Sequence, residues 1–219
     1  TWNSLGQWAD WCQLYVRTDP AAPKHKGISC LIVDLRTPGV EVRPLRTMTG
    51  HRTFAELFFT DVRVPAGSLL GPVNEGWRVA MTTLSYERAG VAKLHLGLSR
   101  KLDRLLAADG PIEDRRHRDQ VALAYSRIAC MRWMTDRALA GERKGQPSPT
   151  LGSLAKLAWS RAEQHLAGLA VDIMGLDGLR GDWATALASA PQTSIAGGTT
   201  EINRNIIGEQ ALGLPRQAP

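Results

Sequence analysis

Two stretches of this 219-residue chain hold groups whose types and spacing could do chemistry. Glu87 lies in Leu84-Ser85-Tyr86-Glu87-Arg88, within a long amphipathic pattern. A carboxylate there is a candidate general base, able to take a proton from carbon if the substrate is polarised by another group. On residue type alone the plainer reading is a half-exposed side chain paired with Arg88. The second stretch is Ile195-Ala196-Gly197-Gly198-Thr199-Thr200-Glu201-Ile202, which opens a helix near the carboxyl end. N–H groups at a helix start lack intrahelical acceptors, so this glycine loop can face an anionic or carbonyl oxygen. Glu201 is the nearest competitor as a base, but in a first helical turn a carboxylate is accounted for by the helix dipole. The five histidines have no metal-ligand spacing, and none sits in a nucleophile context, so no metal and no Ser-His-Asp unit is expected.

These groups must be held by a folded core, and the composition allows one. Hydrophobic residues make up 43% and charged residues 22%, ordinary for a globular protein. No apolar run approaches the roughly 20 residues that span a bilayer, and residues 1–6 lack the regions of a signal peptide. Cys12, Cys30 and Cys130 are scattered and odd in number, which reads as buried, reduced thiols in a cytoplasmic protein. The net charge of +6 raises nucleic acid as a ligand. The basic residues are dispersed, however, and the densest run, Arg115-Arg116-His117-Arg118, is flanked by Glu113, Asp114 and Asp119. It reads as a solvated loop, and neither nucleic acid nor membrane is expected as a partner.

The periodicity changes along the chain. Cys12, Leu14 and Val16 alternate with polar or amphipathic neighbours, 28–35 is an apolar run, and Val40 and Val42 alternate after Thr37-Pro38-Gly39. Residues 53–64 read as one or two further strands, and the Pro-rich stretch 19–23 as a hairpin loop. From Asn74 the period becomes helical. Trp77, Met81, Leu84, Arg88, Val91, Leu94, Leu98, Leu102 and Leu105 recur at threes and fours, predicting a helix of about 30 residues with Asn74 as N-cap. Further helices are expected over about 116–141, 151–174 (stopping at Gly175), 183–190 and 200–212. Trp133 and Trp159, at helical spacing from apolar neighbours, are core candidates, and His165 is a helix-face residue. The expected fold class is α+β, a partial antiparallel β-domain over 1–70 followed by an antiparallel helical bundle over 71–219.

Several short motifs together give the sequence a resemblance. Trp2-Asn3-Ser4, Ala9-Asp10-Trp11, Lys26-Gly27-Ile28, Thr37-Pro38-Gly39-Val40, Val62-Arg63-Val64-Pro65 and Asn74-Glu75-Gly76-Trp77 stand in the order and spacing of the acyl-CoA dehydrogenase family. Singly each is only a strand end or a turn. The sequence is similar to the second half of that family's middle β-domain and its complete carboxyl-terminal helical domain. The amino-terminal helical domain and the Thr-Glu-Pro flavin segment are not matched, so a fragment or part of a longer polypeptide is expected. Most of the family carries its base at the position of Gly197. A minority carries it at the position of Glu87 with glycine at the other, and this sequence resembles the minority.

The resemblance implies α,β-dehydrogenation of an acyl-CoA thioester, with FAD as hydride acceptor and an electron-transferring flavoprotein taking the electrons. Glu87 would be the base, with Arg88 orienting it beside the substrate. The Gly197 N–H would bond the thioester carbonyl. Ser4 would bond flavin N5, Trp2 would lie against the flavin, and Thr199 would approach its ribityl and diphosphate region. Acyl-CoA oxidase or flavin monooxygenase chemistry on the same fold is an alternative. Two of the family's motifs for a neighbouring subunit's FAD are departed from. An Arg-x-x-Phe-Gly element is replaced by Ala108-Asp109-Gly110-Pro111-Ile112-Glu113-Asp114, and a Gln-x-x-Gly-Gly element by Asp172-Ile173-Met174-Gly175-Leu176. An Asp beside a diphosphate adds like-charge repulsion. A homo- or heterotetramer is implied, and these departures point to a second, unlike acyl-CoA dehydrogenase subunit, or to a non-catalytic or half-site role for this chain.

Overall fold

The computed structural model describes residues 1–87, 93–108, 112–146, 148 and 150–216, with 85–87 as backbone only. The chain divides into two compact units, Thr1–Tyr86 and Glu87–Pro219.

The first unit is built from five strands and one helix. β1 (Asn3–Ser4), β5 (Phe54–Phe59) and β4 (Val40–Leu45) form an antiparallel sheet in that spatial order. β2 (Trp11–Arg17) and β3 (Ile28–Asp34) form an antiparallel hairpin, in register from Trp11 opposite Asp34 to Arg17 opposite Ile28. The Pro-rich loop between them leaves the ladder, as proline must. Residues 53–64 contain a single strand, β5, because the segment turns away after Phe59 with Asp61 in the left-handed region. Cys30, Val33 and Ala55 are buried at the centre of the unit.

Helix α1 (Gly76–Glu87) is fastened to β3 by a closed ring of hydrogen bonds. The Asn74 N–H donates to Ser29 Oγ at 2.7 Å, Ser29 Oγ and Thr18 Oγ1 are 2.6 Å apart, and Thr18 Oγ1 donates to Asn74 Oδ1 at 2.6 Å. Because Thr18 gives its proton to Asn74, Ser29 is the donor to Thr18, and each member both donates and accepts. Ser29 is fully buried, so the ring satisfies groups that water does not reach. The expected N-cap at Asn74 is therefore corrected. Asn74 has φ +67° and spends its side chain on Thr18, while the Glu75 carbonyl accepts the first helical bonds from Arg78 and Val79. Gly76 comes so close to β3 that a Cβ would stand 2.5 Å from the Ser29 carbonyl carbon and 2.7 Å from the Cys30 nitrogen.

The second unit consists of α2 (Leu94–Ala108), α3 (Arg115–Arg143), α4 (Leu151–Met174), α5 (Gly181–Ser189) and α6 (Thr200–Gln210). α4 is the central helix, packed against the other four. Its buried face is mostly small, Ser153, Ala155, Ser160, Ala162, Ala167 and Ala170 among them, which lets neighbours approach closely. Leu98, Leu102, Leu105, Ile128, Met131 and Leu166 fill the core. The Lys101 ammonium bonds Glu163 between α2 and α4, and His165 Nε2 lies 2.8 Å from Gln120 Oε1 between α4 and α3.

Four expectations need correction or completion here. The basic run at 115–118 is not a loop but the first turn of α3, capped by Asp114, whose carboxylate accepts from the Arg116 N–H at 2.7 Å. The cap offsets the cost of cations at the positive end of a helix. Trp133 is 65% exposed, because α3 buries Ala124, Ile128, Met131 and Thr135, and a residue two positions from Met131 points the opposite way. Cys30 is buried, but Cys12 is only half-buried and Cys130 is exposed. The single long helix is described as α1 and α2, and residues 88–92 between them lie outside the described residues. Its apolar stripe is not uniform either: Trp77, Met81 and Leu84 are exposed, whereas Leu98, Leu102 and Leu105 are buried.

Gly76→Ala is expected to destabilise the first unit by about 1–3 kcal/mol, since rigid backbone stands where the methyl must go. Chemical unfolding of the variant checks this, and an unchanged midpoint would show that β3 yields at no cost.

Candidate functional site

In the first unit, β1 is a two-residue strand flanked by two non-glycine residues in the left-handed region, Trp2 (φ +62°) and Leu5 (φ +57°). Such backbone costs about 1 kcal/mol or more per residue and persists where its surroundings over-determine it. Here the constraints are the pairing of Asn3 with Ala55 and Ser4 with Phe54, and a 2.8 Å bond from the Leu5 N–H to the Thr53 carbonyl. The Trp2 indole stands edge-on to Phe54, centroids 5.7 Å apart, and is 64% exposed. Ser4 is exposed, and its hydroxyl has no hydrogen-bond partner among the described residues. An unpaired hydroxyl two residues from an open indole suits a flat polar ring that stacks and accepts.

In the second unit the glycine loop is placed by α4. Ser160 Oγ donates to the Thr193 carbonyl at 2.5 Å, Gln164 Nε2 donates to Ser194 Oγ at 2.9 Å, and Ser160 and Thr193 are both buried. The Ile195 and Ala196 N–H groups both donate to the Gln192 carbonyl. The chain then passes through Gly197 (φ +69°) and Gly198 (φ +95°), a conformation that side chains with a Cβ rarely adopt. Among the described residues, chain neighbours aside, nothing lies within 4 Å of where a Cβ on Gly197 would be. Among the described residues the Gly197 and Gly198 N–H groups have no acceptor. Thr199 is the N-cap of α6, its hydroxyl accepting from the Ile202 N–H at 3.2 Å. The Glu201 carboxyl is held below its usual range first by its own backbone N–H and then by the Thr199 hydroxyl. The Thr199 hydroxyl is thus engaged, and its backbone is what it has to offer a ligand.

Glu87 is the last residue of α1, and its side chain and Arg88 lie outside the described residues. Asp172 is exposed in the last turn of α4, just before the turn at Gly175. Residues 109–111, in the other departed motif, lie outside the described residues. An open cleft of about 660 Å³ between α2 and α3, lined by Leu102, Leu106, Val121 and Tyr125 among others, contains none of the candidate residues. No group of metal ligands is found among the described residues, and no helix among them is long and apolar enough to cross a membrane.

Two residues near the loop gave no signal in the sequence. Asn203 is buried and donates from Nδ2 to the carbonyls of Gly198 and Thr199. Lys156 is 3% exposed on α4, and among the described residues neither its Nζ nor the neighbouring Ser153 Oγ has a hydrogen-bond partner. Burial pushes the Lys156 ammonium below its ordinary value of 10.5, and Glu201 partly opposes this. A Lys in an amphipathic helix ordinarily reads as surface, so only the packing of α4 against α6 reveals it.

Comparison with known proteins follows the two units. A family model described as "Acyl-CoA dehydrogenase, middle domain" matches residues 1–62, and one described as "Acyl-CoA dehydrogenase, C-terminal domain" matches residues 74–212. The chain is 36% identical over 231 residues to "Acyl-CoA dehydrogenase IpdE1" of Mycolicibacterium smegmatis, covering 99% of this chain and 56% of that protein. Among solved structures it is similar to the "Tcur3481-Tcur3483 steroid ACAD", with a TM-score of 0.88 and 26% identity over 95% of this chain and 58% of that one. It is also similar to the ChsE4-ChsE5 complex of Mycobacterium tuberculosis, with a TM-score of 0.83 and 29% identity over 99% of this chain and 60% of that one. The chain thus spans little more than half the length of these relatives.

A buried, unpaired ammonium costs folding free energy, so Lys156→Met is expected to be neutral or stabilising by on the order of 1 kcal/mol. The sign with pH follows from the lowered value. Between the folded-state pKa and 10.5 the unfolded chain binds more protons, so stability rises with pH as the ammonium penalty is relieved. Unfolding midpoints of wild type and Lys156→Met at about pH 7 and about pH 10 test this. The wild type should close the gap as pH rises, and a gap that widens contradicts the assignment.

Proposed function

The chain belongs to the acyl-CoA dehydrogenase family, and on that premise we propose that it removes the α-proton and β-hydride of an acyl-CoA thioester, with Glu87 as the base. The observation that carries the proposal is the glycine loop: two successive left-handed glycines whose N–H groups have no acceptor among the described residues, at the start of α6. Such N–H groups suit an oxygen on which negative charge develops.

In this reading the Gly197 N–H donates to the thioester carbonyl and stabilises the enolate-like charge. The α-proton is acidified by that bond and passes to the Glu87 carboxylate. Arg88, adjacent in sequence, favours the ionised carboxylate before the transfer. The α C–H electron pair becomes the new Cα–Cβ double bond as the β C–H bond breaks. FAD, when bound, supplies the redox chemistry by accepting the β-hydrogen as hydride at N5. The residues present fit that group. Trp2 offers an open aromatic face, Ser4 an unpaired hydroxyl as donor to N5, and Thr199 its backbone at a helix start for the ribityl and diphosphate region. An electron-transferring flavoprotein is the proposed acceptor of the electrons. The three free thiols suit a reducing cytoplasm.

A second reading is favoured by one observation. Asp172, exposed where the family has Gln, would repel a neighbour's diphosphate. We therefore propose that the assembly pairs this chain with an unlike acyl-CoA dehydrogenase subunit, which supplies the intact contacts. If the chemistry belonged wholly to that subunit, this chain would be a structural partner.

Glu87→Gln separates the two. Turnover with acyl-CoA should fall by at least about a hundredfold while FAD content is retained. Unchanged turnover would assign the base to another chain. Native mass analysis of the purified complex reads the subunit types and flavin count, and a homotetramer with one FAD per chain would remove the case for an unlike partner.

A further inference from the structure

The left-handed glycine pair presents unpaired N–H groups, but glycine backbone is the least able to hold a direction by itself. Something must fix the peptide planes if the loop is to act as a preorganised donor. In the second unit one side chain is in place to do so. Asn203, one turn into α6, is 4% exposed, and its Nδ2 donates to the Gly198 carbonyl and to the Thr199 carbonyl, both at 2.9 Å. Its backbone N–H donates to the same Thr199 carbonyl at 3.0 Å. The Gly198 carbonyl is turned back toward α6, and the space beside Gly198 is closed, since a Cβ there would lie 3.1 Å from Asn203 Nδ2. Gly198 and Asn203 therefore fit as a pair: the glycine is needed for the amide to enter, and the amide holds the glycine at φ +95°.

We propose that Asn203 is a positioning residue that locks the Gly198–Thr199 and Thr199–Thr200 peptide planes, and so anchors the end of the glycine loop whose Gly197 and Gly198 donors are offered to the thioester carbonyl. The catalytic half of this rests on the function proposed above, whereas the clamp itself is a property of the loop and α6. The side chain suits the task chemically. An amide supplies two protons from one nitrogen, enough for two carbonyls, where a hydroxyl supplies one and a carboxylate none. Asp in its place would keep the shape and aim an acceptor at two acceptors.

The test uses the full-length holoenzyme and its Asn203→Asp and Asn203→Ala variants. Asn203→Ala removes the clamp without burying a charge, should Asn203→Asp fold poorly. Amide hydrogen exchange reads the loop directly. Exchange of the amides at 202 and 203, which donate to the Thr199 hydroxyl and carbonyl, should accelerate by about tenfold with the rest of α6 and α4 unchanged, the scale expected for losing neutral hydrogen bonds. Binding then reads its use. The probes are 3-thiaoctanoyl-CoA, a thioester with no β-hydrogen to lose, and its thioether counterpart 3-thiaoctyl-CoA, which lacks the carbonyl. Wild type should prefer the thioester, and the variants should lose that preference by about tenfold while binding the thioether as before. A general packing role would weaken both probes equally, and that result overturns the proposal. Unchanged exchange at 202 and 203 in both variants overturns it too. If wild type itself binds the two probes alike, the thioester reading fails together with the catalytic half of the proposal, and the exchange measurement judges the clamp on its own.

Discussion

The first unit depends on a ring of three polar residues closed around one hydroxyl that water does not reach, that of Ser29, with Thr18 exposed and Asn74 half-buried. Ser29, Thr18 and Asn74 satisfy one another in a closed cycle, and Gly76 lets the helix start within a Cβ's breadth of β3. Two segments 45 residues apart are joined there by a 2.7 Å bond. Removing Thr18 or Asn74 leaves the buried Ser29 hydroxyl short of a partner, which costs more than the bond is worth when made. The ring sets where α1 begins, and hence the register of the helix whose last residue is Glu87. It also explains why Asn74 has positive φ: its side chain is drawn to Thr18 rather than to the helix end.

The second unit uses the same device with the roles reversed. There a rigid, small-faced helix, α4, holds an irregular segment by hydrogen bonds to its carbonyl and hydroxyl groups. Ser160 and Gln164 fasten the turn that leads into the loop, and Asn203 fastens the turn that leaves it. The Gly197 and Gly198 N–H groups have no acceptor among the described residues, because these constraints act through the loop's carbonyls or its neighbours. That division is what a donor site requires, since an N–H satisfied within the protein has nothing left for a ligand. Lys156 stands apart from this pattern, a buried ammonium with no hydrogen-bond partner among the described residues, its desolvation partly opposed by the charge of Glu201.

Much of this was legible in the residue pattern. The bounds of α4, from Leu151 to Met174 before Gly175, follow from periodicity and a helix stop. The hairpin of β2 and β3 follows from alternation around a Pro-rich loop. The glycine loop and the cap at Thr199 are visible because Gly-Gly-Thr-Thr-Glu is a helix-start composition. Less legible were positions where two faces compete. Trp133 carries the helical spacing of a core residue, yet it points away from the stripe that α4 covers. Trp77, Met81 and Leu84 share a period with Leu98 and Leu102, yet all three stay exposed, Trp77 with His25 stacked on its ring. Periodicity states that a face is apolar, not that a neighbour exists to bury it.

The amino-acid sequence alone determined which backbone each segment prefers, where helices start and stop, and which short motifs stand in which order. These are properties of near neighbours, governed by dihedral preference, capping and local hydrogen bonding. Tertiary structure alone decided that Asn74 closes a ring with Ser29 and Thr18, that Lys156 is buried, and that Asn203 turns inward onto the Gly198 and Thr199 carbonyls. For Asn74 the outcome depends on partners far along the chain, for Lys156 on the packing of α4 among the other helices, and for Asn203 on the burial that turns its amide to the loop. A polar side chain by itself is neutral between water and an internal partner, and packing settles the choice by removing the water.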